Sequence, residues 1–379
     1  MTEALNAIVG TGGSLLWVIV AFLIILTIVI FVHEMGHYLV GRWCGIGVQA
    51  FSIGFGPELV GFNDRRGTRW KLCAIPLGGY VKFAGDMNAT STPDPDQVAA
   101  LSEEERKVAF HTQPVWKRAA TVVAGPLFNF LLTIAVFATL FTVYGRPVME
   151  PIVSSVIEGS AAEAAGFQPG DRFVSVDGSP IASFADVQRY VMGRTGDPLT
   201  FVMMRDGAEV TLTATPQVRE ETDPLGNKVK IGLIGVRADV AENPRRTIEY
   251  NPLQAVGEAV KETGYVISGS AEMLKRFAFG KEDKCQLGGV KRIAQSSGKA
   301  MEMGFLWFIN YLALLSVGIG FLNLLPIPPL DGGHLLFYGI EAAMRRPVTE
   351  RLMDAVYRVG LLAVLAFIVF VNFNDVFVC

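Results

Sequence analysis

Four long apolar runs divide this chain, and each reads as a membrane-spanning helix. They cover roughly residues 15–40, 119–143, 303–325 and 356–371. Pro326, Pro328 and Pro329 break the third run, and Leu330-Asp331-Gly332-Gly333-His334 follows inside an otherwise apolar stretch. Proline and glycine at membrane depth predict an interrupted helix lining an enclosed cavity. Between the first two runs, residues 48–53, 68–72 and 79–83 read as strands, with a turn at 64–67. This small sheet offers an edge to an extended chain, and residues 74–79 are apolar enough to dip into the bilayer. The polar stretch 86–112 turns helical at 103–110.

Residues 150–240 differ, being alternating, charged and punctuated by glycine. Strands at 152–156, 172–178, 199–204 and 208–214 and helices at 161–165 and 183–192 predict a separate α/β domain of about 90 residues, enough to fold alone. Residues 245–278 carry apolar positions at helical spacing, among them Leu253, Val256, Ala259 and Val260, while 285–300 is Gly-rich and basic and reads as a loop. The expected fold class is a polytopic α-helical membrane protein with a membrane-associated β-hairpin and one α/β domain. Its segments are 1–44 (first span), 45–118 (loop with hairpin), 119–145 (second span), 146–242 (α/β domain) and 243–302 (amphipathic helices and loop). Then come 303–340 (third, broken span), 341–353 (loop) and 354–379 (fourth span and tail).

Hydrophobic residues make up 51% of the 379 and charged ones 18%, too apolar a balance for an ordinary soluble enzyme. A net charge of -3 gives no footprint for nucleic acid. Cys44, Cys73, Cys285 and Cys379 share no close spacing, which predicts neither a disulfide framework nor a metal knuckle. The first run has no basic leader, so a retained span is expected rather than a signal peptide. Arg65, Arg66, Arg69, Lys117 and Arg118 lie between spans one and two, and Arg345 and Arg346 between three and four, whereas both termini lack Lys and Arg. The positive-inside rule places those loops in the cytoplasm and the α/β domain outside.

The first span ends in His33-Glu34-Met35-Gly36-His37. Imidazoles four apart lie on one helix face and suit two ligands of a single ion, with Glu34 as general base on a water, the pattern of a zinc hydrolase. The 18 residues from Leu15 to His33 rise about 27 Å, most of a ~30 Å hydrocarbon core, so the pair sits inside the membrane. A tetrahedral zinc needs a third protein ligand. His111, His334 and the carboxylates are candidates; Asp331 is favoured because it lies at the break of a span on the same side as His33. His334 remains an alternative, and a helix-capping role is the structural reading of Asp331. Asn323 is placed to donate a hydrogen bond to substrate backbone or oxyanion, and Asn129 either faces the metal helix or joins two helices.

HEMGH in the first span, GPLFNF at 125–130 and NLLPIPPLDGGH at 323–334 closely resemble the bacterial site-2 proteases, the intramembrane zinc metalloproteases of peptidase family M50 that include RseP-like regulators. The resemblance implies one zinc on His33, His37 and Asp331, Glu34 as catalytic base, and substrate positioning around Asn323 and by the hairpin, with Asn129 at the polar position of the second-span motif. The middle domain resembles a single PDZ domain, through GFQPGD at 166–171 and the strand and Val176-Asp177-Gly178 that follow. The resemblance further implies a bacterial inner-membrane enzyme with a periplasmic PDZ domain that gates access or binds a C-terminus. Its substrates would be single-pass membrane proteins already trimmed outside, such as anti-sigma factors or signal-peptide remnants. A transporter with a broken helix would call for inverted repeats, which four dissimilar spans do not show, and gives Glu34 no task beside paired histidines; a PDZ-bearing membrane scaffold without proteolytic activity is the non-enzymatic alternative.

Overall fold

The computed structural model describes residues 2–86, 102–222, 225, 228–238, 246–280, 285, 287–346 and 348–378. Two compact units divide the chain, Met1–Val136 with Gly288–Cys379 and Phe137–Leu287. Among the described residues, four helices are long and apolar enough to cross a membrane: Leu15–Trp43, Val115–Tyr144, Phe305–Asn323 and Ala355–Val378.

The first unit begins with α1 (Thr2–Trp43), which starts well before the apolar run that predicted it. Strands β1 (Val48–Asn63) and β2 (Arg69–Phe83) follow, joined at the expected turn, whose Asp64 carboxylate accepts from the backbone N–H groups of Arg66 and Thr68. The hairpin doubles on itself: residues 48–53 pair with 79–83 on one side and 69–72 on the other, while 58–63 pairs with 69–73. Three of these four runs are the strands expected from alternation. Gly54, with φ +87°, makes the fold-back, since a Cβ there would lie 2.7 Å from the Ile75 carbonyl oxygen. The predicted helix at 103–110 is α2 (Glu103–Val108), started by a Ser102–Glu105 capping box. The polar stretch 87–101 lies outside the described residues.

Helix α3 (Val115–Tyr144) crosses α1 closely. A Cβ on Gly36 would meet the Ala124 carbonyl oxygen at 2.4 Å, so only glycine lets these backbones approach this far.

The second unit has the alternating core its sequence predicts. Strands β3 (Arg146–Val148) and β4 (Ser155–Val156) lead to α4 (Ala161–Ala165), β5 (Arg172–Val176), β6 (Ser179–Pro180) and α5 (Phe184–Met192). β7 (Leu199–Arg205) and β8 (Ala208–Ala214) complete a four-stranded sheet in the order β6-β5-β7-β8. Along β7 every second residue (Leu199, Phe201, Met203) is buried, packing with Phe167, Phe173, Val176 and Val187. The turn at 167–171 is pinned by Asp171, which is buried and accepts two hydrogen bonds from Arg205 at 2.6 and 2.7 Å. Two further pairings join β9 (Gln217–Thr222) to β10 (Lys228–Leu233) and β11 (Val236–Arg237) to β4. β12 (Arg246–Ile248) pairs with β3.

The amphipathic stretch is one helix, α6 (Pro252–Ala278), opened by an Asn251–Gln254 capping box. It belongs to this unit: Glu262 pairs with Arg146 and Arg189, and the buried Arg276 pairs with Asp197 and donates to the Thr195 carbonyl. Cys285 is disulfide-bonded whereas Cys44 and Cys73 are free, so a closure exists where the spacing predicts no disulfide framework; spacing in sequence carries no record of a closure made in space.

The chain then re-enters the first unit. The expected loop at 285–300 is instead a helix, α7 (Val290–Glu302). Its small residues serve close packing rather than flexibility: Ser296, Ser297, Gly298 and Ala300 are buried, and a Cβ on Gly298 would lie 2.5 Å from a Val18 methyl. α8 (Phe305–Asn323) is the third span, followed by α9 (Asp331–Met344) and α10 (Glu350–Phe373), which ends in a π-helical turn, Asn374–Val378. Asp375 in that turn accepts from the Arg292 backbone N–H in the first turn of α7.

Candidate metal centre

The break between α8 and α9 folds back on the helix it starts. A Cβ on Gly332 would lie 2.2 Å from the Leu325 carbonyl oxygen, and one on Gly333 would lie 2.6 Å from the Pro328 nitrogen. The paired glycines after Asp331 are therefore required by this re-entrant turn. Asp331 becomes the first residue of α9, with Leu330 at the cap position and no side-chain capping bond, so the cap reading of Asp331 does not hold.

This turn brings Asp331 to the histidines of α1. Asp331 Oδ2 is 3.2 Å from His33 Nε2 and 3.5 Å from His37 Nε2, and the two Nε2 atoms are 3.2 Å apart. One ion held tetrahedrally with bonds of ~2.0–2.1 Å needs donors about 3.3 Å from each other. The three separations fit. His33, Glu34 and His37 are each 8% exposed, and Asp331 Oδ2 is buried without a hydrogen-bond partner among the described residues, an acceptor suited to a cation. Among the described residues these three are the only group of three or more metal-type ligands brought together.

The surroundings fix the rings. His37 Nδ1 lies 2.9 Å from the Thr121 carbonyl oxygen, so the ring donates there and leaves Nε2 free to ligate. Gly125 of α3 faces both imidazoles: a Cβ would fall 2.3 Å from His37 Nε2 and 2.9 Å from His33 Cε1. Gly79 of β2 packs against Glu34, since a Cβ there would sit 3.0 Å from Glu34 Cγ. The hairpin thus lies directly beside Glu34.

The remaining candidates separate cleanly. His334 turns to α10, where Tyr357 Oη is 2.7 Å from its Nδ1, and His111 pairs with Asp86 at 2.9 Å. Neither joins the ligand cluster. Asn129 is fully buried, with Nδ2 3.3 Å from His33 Nδ1. Asn323 is the last residue of α8, half-buried, and among the described residues it makes no hydrogen bond to the cluster. The Thr121 carbonyl and the clearances at Gly79 and Gly125 escape sequence reasoning; the glycine of GPLFNF was the one available signal for the last.

Comparison with known proteins agrees with this geometry. The model of peptidase family M50 matches residues 21–367. A relative from Mesorhizobium japonicum described as a candidate zinc metalloprotease is 67% identical over 362 residues, 95% of this chain and 99% of its own. Another so described, from Brucella suis, is 59% identical over the full length of both chains. The metalloprotease MmpA of Caulobacter vibrioides is 40% identical, with 94% of each chain covered. With its ligand cluster and its four apolar spans in place, the chain belongs to peptidase family M50 and is a membrane-embedded zinc-dependent endopeptidase.

Proposed function

We propose that this enzyme cuts peptide bonds in or near the membrane-spanning segments of single-pass proteins. The observation that carries the reading is the placement of His33, Glu34 and His37, buried within the Leu15–Trp43 span whose flanks are apolar. His33, His37 and Asp331 would hold the zinc, which when bound would supply Lewis acidity to a peptide carbonyl and to a water. Glu34, adjacent in sequence to a ligand and buried beside the hairpin, takes the water proton and returns it to the leaving nitrogen. A helical substrate hides its carbonyls, so it must unwind before it is cut. Residues 79–83 form an outer run of the hairpin sheet, with Gly79 against Glu34, and this edge suits an extended substrate laid beside the base. Asn323, where the third span breaks, is assigned to substrate positioning.

The same reading sets the connections 1–2 and 3–4 in the cytoplasm of a bacterial inner membrane and the α/β unit in the periplasm. Cysteine chemistry supports it. The disulfide-bonded Cys285 lies in the connection between the second and third spans, and the free Cys44 and Cys73 in that between the first and second. The α/β unit is assigned a PDZ-like role, gating access or binding a substrate C-terminus. Its support is the Gly166–Asp171 turn and the four-stranded sheet carrying α5. Pre-trimmed anti-sigma factors and signal-peptide remnants are the substrate classes that suit such a site.

Reconstitution in lipid vesicles with a single-pass peptide tests the proposal. Chelator-sensitive cuts mapped by mass spectrometry to the membrane segment are expected, and absent with Glu34→Gln. Cuts confined to soluble loops would overturn it.

A further inference from the structure

The two ligand histidines are held by different partners. Behind His37 stands the Thr121 carbonyl, which can only accept, so Nδ1 of that ring is fixed as the N–H and Nε2 as the lone pair. Behind His33 stands the Asn129 carboxamide, which can donate through Nδ2 or accept through Oδ1. Here Nδ2 lies 3.3 Å from His33 Nδ1, while Oδ1 of the same amide is buried with no hydrogen-bond partner among the described residues. A ring that gives the Nε2 lone pair to a cation carries its proton on Nδ1 and needs an acceptor there. Rotating the carboxamide by half a turn puts Oδ1 at that position and joins the orphaned acceptor to the new donor.

We propose that Asn129 is the positioning residue of the zinc site, its carboxamide oxygen accepting the His33 Nδ1 proton and so holding that ring in the ligating tautomer. The proposal rests on the His33–His37–Asp331 metal site. It moves Asn129 from the substrate to the metal. The hydrogen bonds that pack the helices here go to the backbone of this residue: Ser316 Oγ and Thr133 Oγ1 both donate to the carbonyl of Asn129, at 2.9 and 3.1 Å. The Ser316 bond joins α8 to α3 and the Thr133 bond lies within α3; both go to the backbone, whatever the residue at 129. Asn129 therefore has two separable tasks, a backbone one in packing and a side-chain one toward the metal.

Zinc affinity of the purified full chain, measured by competition with a chromogenic chelator, tests this without reference to cleavage. Asn129→Leu should weaken zinc binding about 10–100-fold, and Asn129→Asp, which keeps an acceptor in the same place, should stay within a few-fold of the natural protein. Ser316→Ala, which removes a packing bond, should leave zinc affinity unchanged. Should leucine prevent folding, Asn129→Ala makes the same comparison. Equal affinity in the leucine and natural proteins, with any loss confined to KM, would overturn the proposal and return Asn129 to the substrate. So would an aspartate variant as weak as the leucine one. Zinc retained in Asp331→Ala would instead overturn the underlying metal-site reading.

Discussion

In the α/β unit, Phe167, Phe173, Phe201 and Met203 form a buried apolar core, and ion pairs such as Arg189–Glu262 and Arg194–Asp177 lie toward its surface. In the unit of spans, Leu16, Leu362 and Val369 are 63–67% exposed, while His33, Glu34, His37, Asn129, Thr133 and Ser316 are buried. One unit is assembled by withdrawing apolar surface from water. The other has apolar surface on both sides of its helix contacts, so close backbone approach and polar pairing must order it. Gly36 against Ala124 and the Thr133 and Ser316 hydroxyls against α3 and α8 carbonyls are those devices. A polar side chain inside the first unit is therefore a specific contact. In the second, withdrawing an aromatic ring such as Phe201 from water is the ordinary stabilising step.

The largest way to break this contrast is at a ligand. His37→Ala should abolish both zinc binding and cleavage while the protein still inserts, as read by metal analysis of membrane-extracted protein. Glu34→Gln comes next: cleavage should fall by about 10²–10⁴-fold with zinc content unchanged. A variant that lost its metal would show that Glu34 shapes the site rather than moving protons. Gly125→Ala sharpens the packing argument, because its methyl would meet His37 Nε2 at 2.3 Å. Zinc affinity should drop about 10–100-fold, more than for alanine at Gly339, which has nothing within 4 Å.

The opposite unit supplies the counter-test. Phe201→Ala should cost about 3–5 kcal/mol of that unit's stability, seen as a lowered unfolding transition in denaturant, with zinc affinity held. The smallest effect belongs to Asp64 at the hairpin turn. Burial pushes its carboxyl up, but hydrogen bonds from the Trp70 indole, the Thr68 and Arg66 N–H groups and the Tyr38 hydroxyl outweigh it and hold the pKa at about 2, below the usual 3.8. A depressed folded pKa gives stability that is present above pH ~3.8 and lost as pH falls through about 2. Asp64→Asn should therefore flatten the acid limb of the hairpin's stability, measured by Trp70 fluorescence, and identical limbs would contradict this.

Much of the site was legible because its chemistry is local. HEMGH sits within one helical turn and a half, and the proline-broken LDGGH segment marked Asp331 as an ionisable group with no other reason to be at membrane depth. That Asp331, rather than His334, completes the cluster follows from the re-entrant turn made by Gly332 and Gly333. The strands of the hairpin showed in alternation, but not the fold-back at Gly54 that brings residues 69–72 beside 48–53. Helix α7 was hidden because Ser296, Ser297 and Gly298, chosen for close packing on α1, have the composition of a loop. The acceptor behind His37 is a backbone carbonyl, which no residue type announces.

Zinc content of Asp331→Ala, purified beside the natural protein and Glu34→Gln, tests the central claim most directly. One ion per chain in the latter two and none in the alanine variant is the predicted result. One ion per chain in all three would contradict a site shared between the first span and the broken third.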